Sequence, residues 1–184
     1  MTQIAVIGAG SWGTTFAKVL VDAGNDVKLW SRREELTEEI NSSHRNGDYM
    51  PGINLPEALV ASSNIEEVLK GAKQVYIAVP SQTLRDNLQE WGKHIEADAI
   101  IVSLMKGVEQ GTGLRMSQVI KEVLGFSEDQ ICVVSGPNLS LEIASEQPAA
   151  CVAACTSAEN ADLVAVAATN HYFITFTNKD VIGT

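Results

Sequence analysis

Residues 3–14, QIAVIGAGSWGT, decide the fold. A β-branched, apolar run, Gln3–Ile7, stops abruptly at a glycine triple, Gly8, Gly10 and Gly13, spaced G-x-G-x-x-G. Glycine triples occur in many loops, so the pattern by itself says little. Here it closes a predicted strand and opens a predicted helix, Ser11–Ala23, and that context marks a phosphate-binding turn. Gly8 permits the tight turn, Gly10 lets a pyrophosphate approach the backbone, and Gly13 allows close packing of helix on strand. The start of the helix then presents free N–H groups and partial positive charge to an anion.

Outward from this stretch the apolar spacing alternates between strand and helix periods. Strands are expected at Val27–Trp30, Val75–Val79, Ala99–Leu104, Gln130–Val134, Ala149–Ala154 and Tyr172–Thr177. Helices are expected at Arg33–Asn46, Gln82–His94, Leu114–Leu124 and Ala158–Thr169, with a short one after Gly136-Pro137. The segment Asn46–Pro56, with two Gly and two Pro, reads as a loop. Alternating strands and helices imply βαβ units. With right-handed crossovers these give a Rossmann-type, doubly wound α/β fold, a mostly parallel sheet with helices on both faces. No repeat or linker divides residues 1–184, so one domain is expected.

Lys and Arg total 13 against 23 Asp and Glu, a formal charge of −10. That balance excludes nucleic acid as a main partner, since phosphate-backbone binding rests on clustered Lys and Arg. No apolar run approaches the roughly 20 residues of a membrane span, and residues 1–10 lack the features of a signal peptide. Three cysteines, an odd number, read as reduced thiols, and a cytoplasmic location is expected.

In NAD-specific folds a carboxylate at the end of the second strand holds the ribose 2′-hydroxyl. Here the position reads Trp30-Ser31-Arg32-Arg33, with no carboxylate and two guanidiniums. A 2′-phosphate would meet bidentate donors there. The alternative is a solvated helix start. The expected cofactor is NADP(H), with NAD(H) as the alternative. Three further segments fall where the next strands end: Val79-Pro80-Ser81, Ser103–Glu109 with Lys106, and Ser135–Asn138. Ligands of open α/β sheets bind at carboxyl ends of strands, which points Lys106 into the expected crevice. A surface lysine in a turn is the competing reading.

Together Gly8–Thr14, Leu104–Glu109 (LMKGVE), Ser135–Glu142 (SGPNLSLE) and Phe176–Gly183 (FTNKDVIG) resemble the bacterial-type NAD(P)-dependent glycerol-3-phosphate dehydrogenases. Tyr49-Met50-Pro51-Gly52 and Leu55-Pro56 are similar to that family's Y-L-P-G…L-P loop. The resemblance runs from residue 3 to residue 184. It implies Ser11 and Trp12 on the cofactor diphosphate and ribose, Arg32 and Arg33 near the adenosine 2′-position, and Tyr49 at the same end. It implies Lys106 against both the nicotinamide half and the substrate, as the catalytic residue of this stretch. Gly136 and Asn138 would line the substrate site, the latter where the family more often has Ser or Thr. Ser140 falls on a cofactor-contact position that is commonly Ala.

The same resemblance implies an enzyme that interconverts dihydroxyacetone phosphate and sn-glycerol 3-phosphate for glycerophospholipid synthesis, a small phosphate being the substrate. In the family a Lys-Asn pair, whose lysine is the general acid–base, and a helical substrate domain follow Asp-Val-Ile-Gly. The chain ends at Thr184, before that point, and is expected to be the cofactor domain of a longer enzyme. By itself it is expected to bind cofactor without turnover and to associate into homodimers through the edge such a domain would cover. Two rivals stand beside this reading: another two-domain hydroxyacid or ketopantoate-type reductase, and a non-catalytic NADP(H) sensor, which would have no need of Lys106.

Other features read as structural. Cys151 and Cys155 are expected to be buried small hydrophobes rather than metal ligands, because no second Cys or His pair lies near. His44, His94 and His171 have no nucleophile partner in the pattern. Glu34–Glu39 is expected to be a solvated helix face, and Trp91 a half-buried anchor.

Overall fold

The computed structural model describes residues 2–184. Eight strands form one sheet in the order β3-β2-β1-β4-β5-β6-β7-β8. They are β1 (Gln3–Ile7), β2 (Asp26–Trp30), β3 (Val60–Ser62), β4 (Gln74–Ile77), β5 (Ile100–Ser103), β6 (Ile131–Ser135), β7 (Ala149–Ala154) and β8 (Phe173–Asn178). Every pairing is parallel except β6 with β7. The helices are α1 (Ser11–Asp22), α2 (Glu34–Ser43), α3 (Ile65–Leu69), α4 (Leu84–Trp91), α5 (Met116–Leu124), α6 (Ser140–Ala144) and α7 (Ala158–Ala168).

Alternation along β1 divides the core. Ile4 and Val6 pack on one face with Phe16, Leu20, Leu29 and Tyr76. Ala5 and Ile7 pack on the other with Leu88, Trp91, Val119 and Ile120. Successive side chains of a strand point to opposite faces, and a parallel sheet needs both faces covered. This is why β1 is apolar from Ile4 to Ile7 rather than alternating. The order in which strands are added reverses between β1 and β4, so the carboxyl ends of those parallel strands open a crevice at the switch point.

Two elements, β3 and α3, fall where no strand or helix was expected. They have three and five residues, too short for a period to show. Asn64 caps α3, its side-chain oxygen accepting from the N–H groups of Glu66 and Glu67. Trp91 is fully buried, not half-buried: it closes the core between α4 and α5. Cys132, Cys151 and Cys155 are buried free thiols. Burial pushes the Cys151 thiol up to about 11. At the open edge of the sheet, Thr169 Oγ1 accepts from the Thr175 N–H and Asn170 Oδ1 from the Phe173 N–H. Those bonds blunt an edge that would otherwise offer free donors. Ile174 and Phe176 on β8 remain exposed.

Among the described residues, no helix is long and apolar enough to cross a membrane, and no three His, Cys, Asp or Glu side chains gather into a metal-binding group.

Candidate functional site

The glycine turn is held by contacts that only glycine allows at two of its three positions. Gly8 has φ +113°, and a Cβ on it would lie 2.7 Å from the Ala78 carbonyl oxygen at the end of β4. A Cβ on Gly13 would lie 1.8 Å from the Gly8 carbonyl oxygen, so α1 and β1 close together only because none is there. Gly10 differs: its Cβ would meet no atom within 4 Å. The space in front of it is open, and no side chain caps the start of α1 at Gly10. The orphan N–H groups of that first turn therefore face free space.

That space is part of a cavity of about 640 Å³, within the roughly 300–1,000 Å³ of small-molecule sites. Every residue that the sequence suggested for cofactor or substrate lines it: Gly8, Gly10, Ser11, Trp12, Gly13, Arg32, Arg33, Tyr49, Lys106, Gly136, Asn138 and Ser140. The cavity spans the carboxyl ends of β1, β2, β4, β5 and β6, with Trp30, Ala78–Ser81 and Leu104–Met105 completing its walls.

Hydrogen bonds tie these segments to one another. Trp12 Nε1 donates to the Leu104 carbonyl (3.2 Å), fixing the glycine turn to the segment that carries Lys106. Lys106 itself is exposed, and its Nζ donates to the Gly136 carbonyl at 3.2 Å. On its outer side the Lys106 loop is pinned by Arg85, whose Nε and Nη2 both reach the Glu109 carboxylate (2.9 and 3.0 Å). The Arg85 guanidinium holds the Glu109 carboxyl below the usual range, with the Thr112 hydroxyl adding to the effect. Gly136 leaves room for the Asn138 side chain, since a Cβ there would lie 2.8 Å from Asn138 Nδ2. That Nδ2 is buried and finds no hydrogen-bond partner among the described residues. A buried donor left unpaired is costly, so it is a natural ligand contact. The Ser140 carbonyl accepts from Thr15 Oγ1 (3.2 Å), which docks α6 against α1.

The adenosine end holds the arrangement that sequence reading missed. The segment between α2 and β3 folds back over the glycine turn as a strap. Asn46 is fully buried: its Nδ2 donates to the Ala9 carbonyl (3.0 Å) and to Thr14 Oγ1 (2.8 Å), and its Oδ1 accepts from the Tyr49 N–H (3.3 Å). Ser11 Oγ donates to the Tyr49 carbonyl (3.0 Å), and Met50 Sδ lies 3.6 Å from Thr15 Oγ1. Arg32 and Arg33 are both exposed, Arg33 at the start of α2 without a side-chain capping bond. Arg33 Nη1 lies 2.7 Å from Asp48 Oδ2 on the strap, and Asp48 is the main cause of the raised Arg33 pKa. A carboxylate is thus present near this end after all, delivered from the strap rather than from β2.

Over residues 3–161 the chain matches the family described as NAD-dependent glycerol-3-phosphate dehydrogenase N-terminus. The chain belongs to that family. It is 56% identical over 179 residues to the glycerol-3-phosphate dehydrogenase [NAD(P)+] of Leifsonia xyli, covering 97% of this chain and 48% of that protein. It is 55% identical over 184 residues to the protein of the same name from Corynebacterium glutamicum, covering all of this chain and 55% of that protein. The crystal structure of a glycerol-3-phosphate dehydrogenase from Coxiella burnetii superposes with a TM-score of 0.90 at 30% identity, over 98% of this chain and 55% of that one. The glycerol-3-phosphate dehydrogenase of Saccharomyces cerevisiae superposes with a TM-score of 0.88 at 28% identity, over 99% and 57%. The chain spans about half the length of the curated relatives it matches. Within this glycerol-3-phosphate dehydrogenase N-terminus, Asn46 and Asp48 carried no sequence signal beyond lying in a Gly- and Pro-rich loop. Their partners are remote in sequence: Asn46 bonds Ala9 and Thr14, and Asp48 pairs with Arg33.

Proposed function

We propose that the chain is the nucleotide-binding half of an NAD(P)-dependent oxidoreductase. The enzyme interconverts sn-glycerol 3-phosphate and dihydroxyacetone phosphate in the cytoplasm and feeds glycerophospholipid synthesis. The observation that carries this reading is one cavity lined by the glycine turn at one side and Lys106 at the other. Family membership and the names of the bacterial relatives support the choice of substrate.

The residues fit a dinucleotide. The open space before Gly10 and the uncapped start of α1 suit a diphosphate, and the unpartnered Asn138 Nδ2 offers a buried donor at the far side. Ser11 and Trp12 would hold the diphosphate and its ribose, Tyr49 and Ser140 would wall the cofactor, and Arg32 and Arg33 would take a 2′-phosphate. When bound, the nicotinamide supplies and accepts the hydride. The chain's own part is position and charge. Lys106, with Gly136 and Asn138, would orient the small phosphate substrate. Its ammonium would stabilise negative charge as it develops on the substrate oxygen. The hydrogen bond from Trp12 to the Leu104 carbonyl keeps that lysine in register with the glycine turn.

Fluorescence titration tests the reading. The chain should bind NADPH, and changing both Arg32 and Arg33 to Ala should weaken it by about 1.5–3 kcal/mol, the value of a charge-assisted hydrogen bond, while NADH changes little. Equal losses for the two nucleotides would remove the 2′-phosphate assignment. Failure of the unaltered chain to bind either would remove the function.

A further inference from the structure

The strap brings a negative charge to the place where an NADP-selective site wants none. Its backbone is fixed on both sides of residue 48. Asn46, buried, bonds the Ala9 carbonyl and Thr14 Oγ1, and the Tyr49 carbonyl accepts from Ser11 Oγ. Asp48 therefore sits beside Arg33 because the strap is sewn to the glycine turn, not as a wandering surface side chain. The carboxylate reaches the Arg33 guanidinium at 2.7 Å, with both side chains about half exposed. Arg32, next to it, forms no ion pair among the described residues.

We propose that Asp48 is a specificity-determining residue: by engaging Arg33 from the rim of the cavity, it weakens recognition of a ribose 2′-phosphate and keeps the site open to both NADP(H) and NAD(H). The inference rests on the nucleotide reading above. A 2′-phosphate must share Arg33 with a carboxylate whose backbone the strap holds close by, and like charges brought together repel. A ribose 2′-hydroxyl is neutral and meets no such opposition. The effect is short-ranged and weakens with salt, because exposed charges are screened over about 8–10 Å at ordinary ionic strength. It is also modest, since the pair is exposed.

The test is Asp48→Asn in the 184-residue chain, with NADPH and NADH titrated by fluorescence at low and high salt. Asp48 is exposed and makes no other side-chain bond among the described residues, so the variant should keep the fold, which a thermal melt checks. NADPH affinity should rise about 3- to 5-fold at low salt, a range set by the worth of exposed charge pairs. NADH affinity should stay as it was, and added salt should shrink the gain. In an Arg33→Ala background the competition for the guanidinium is gone and only through-space repulsion by the carboxylate is left, so any remaining gain should disappear at high salt. An unchanged or lower NADPH affinity, or equal rises for both nucleotides, would overturn the proposal while leaving the site in place. Loss of all nucleotide binding in the unaltered chain would instead overturn the site, and the proposal with it.

Discussion

Replacing Gly10 with valine should separate folding from binding. The Gly10 backbone, at φ −73° and ψ −179°, is extended, a conformation any residue adopts. A Cβ there meets no atom within 4 Å, so the isopropyl group enters open space. Gly10 is the N-cap of α1, where valine is less favoured than glycine, so stability should fall by about 1 kcal/mol at most. Binding should suffer, because that space is where an anion would meet the uncapped N–H groups of α1. Loss of one or two charge-assisted hydrogen bonds, each about 1.5–3 kcal/mol, amounts to about 3 kcal/mol, or roughly 100-fold in NADPH affinity. Gly13→Ala is the contrasting variant, since its methyl carbon would overlap the Gly8 carbonyl oxygen 1.8 Å away and force the backbone to move. A loss of 2 kcal/mol there would lower the melting temperature by about 4–8 °C in a chain of this size. Calorimetric titration and thermal melts read both variants. Wild-type NADPH affinity in Gly10→Val would mean the turn is only a turn, and a melting temperature as low as that of Gly13→Ala would mean the space is not open.

Two further outcomes follow from the strap and the lysine loop. Asn46→Ala strands the Ala9 carbonyl, the Thr14 hydroxyl and the Tyr49 N–H, and should lower stability by about 2–4 kcal/mol and weaken NADPH; an unshifted denaturation midpoint would show that the strap is not held by Asn46. The Glu109 carboxyl titrates below its unfolded value, so its stabilising effect is present above the ordinary glutamate range and fades as pH falls through the depressed value. Glu109→Gln should therefore flatten the acid side of the melting temperature against pH, and a profile identical to wild type would argue against the Arg85 pairing.

Much of the fold was legible because the strongest elements are long, apolar and bounded by glycine. The run Ile4–Ile7 before Gly8 is fully buried and carries its signal in composition alone. β3 and α3 escaped because three and five residues hold less than a full amphipathic repeat. The antiparallel turn from β6 to β7 escaped because Ala149–Ala154 is small and apolar on both faces, without alternation to set its direction. Trp91 looked half-buried because its helix is amphipathic; contacts from α5 bury the rest, and these cannot be read from local sequence. Most cavity residues were legible because they follow strands that end at the same edge of the sheet, whereas Tyr49, on the strap after α2, was legible only through the family resemblance. Asn46 and Asp48 were not, because a strap that folds back chooses its partners by tertiary geometry.

The most direct measurement is an amide NMR titration of the 184-residue chain with NADPH. Shifts are expected to concentrate at Gly8–Gly13, Arg32, Arg33, Tyr49, Lys106, Gly136, Asn138 and Ser140, the residues that share the cavity. A spectrum unmoved by NADPH, or shifts confined to the exposed β8 surface around Ile174 and Phe176, would contradict the assignment of this cavity as the nucleotide site.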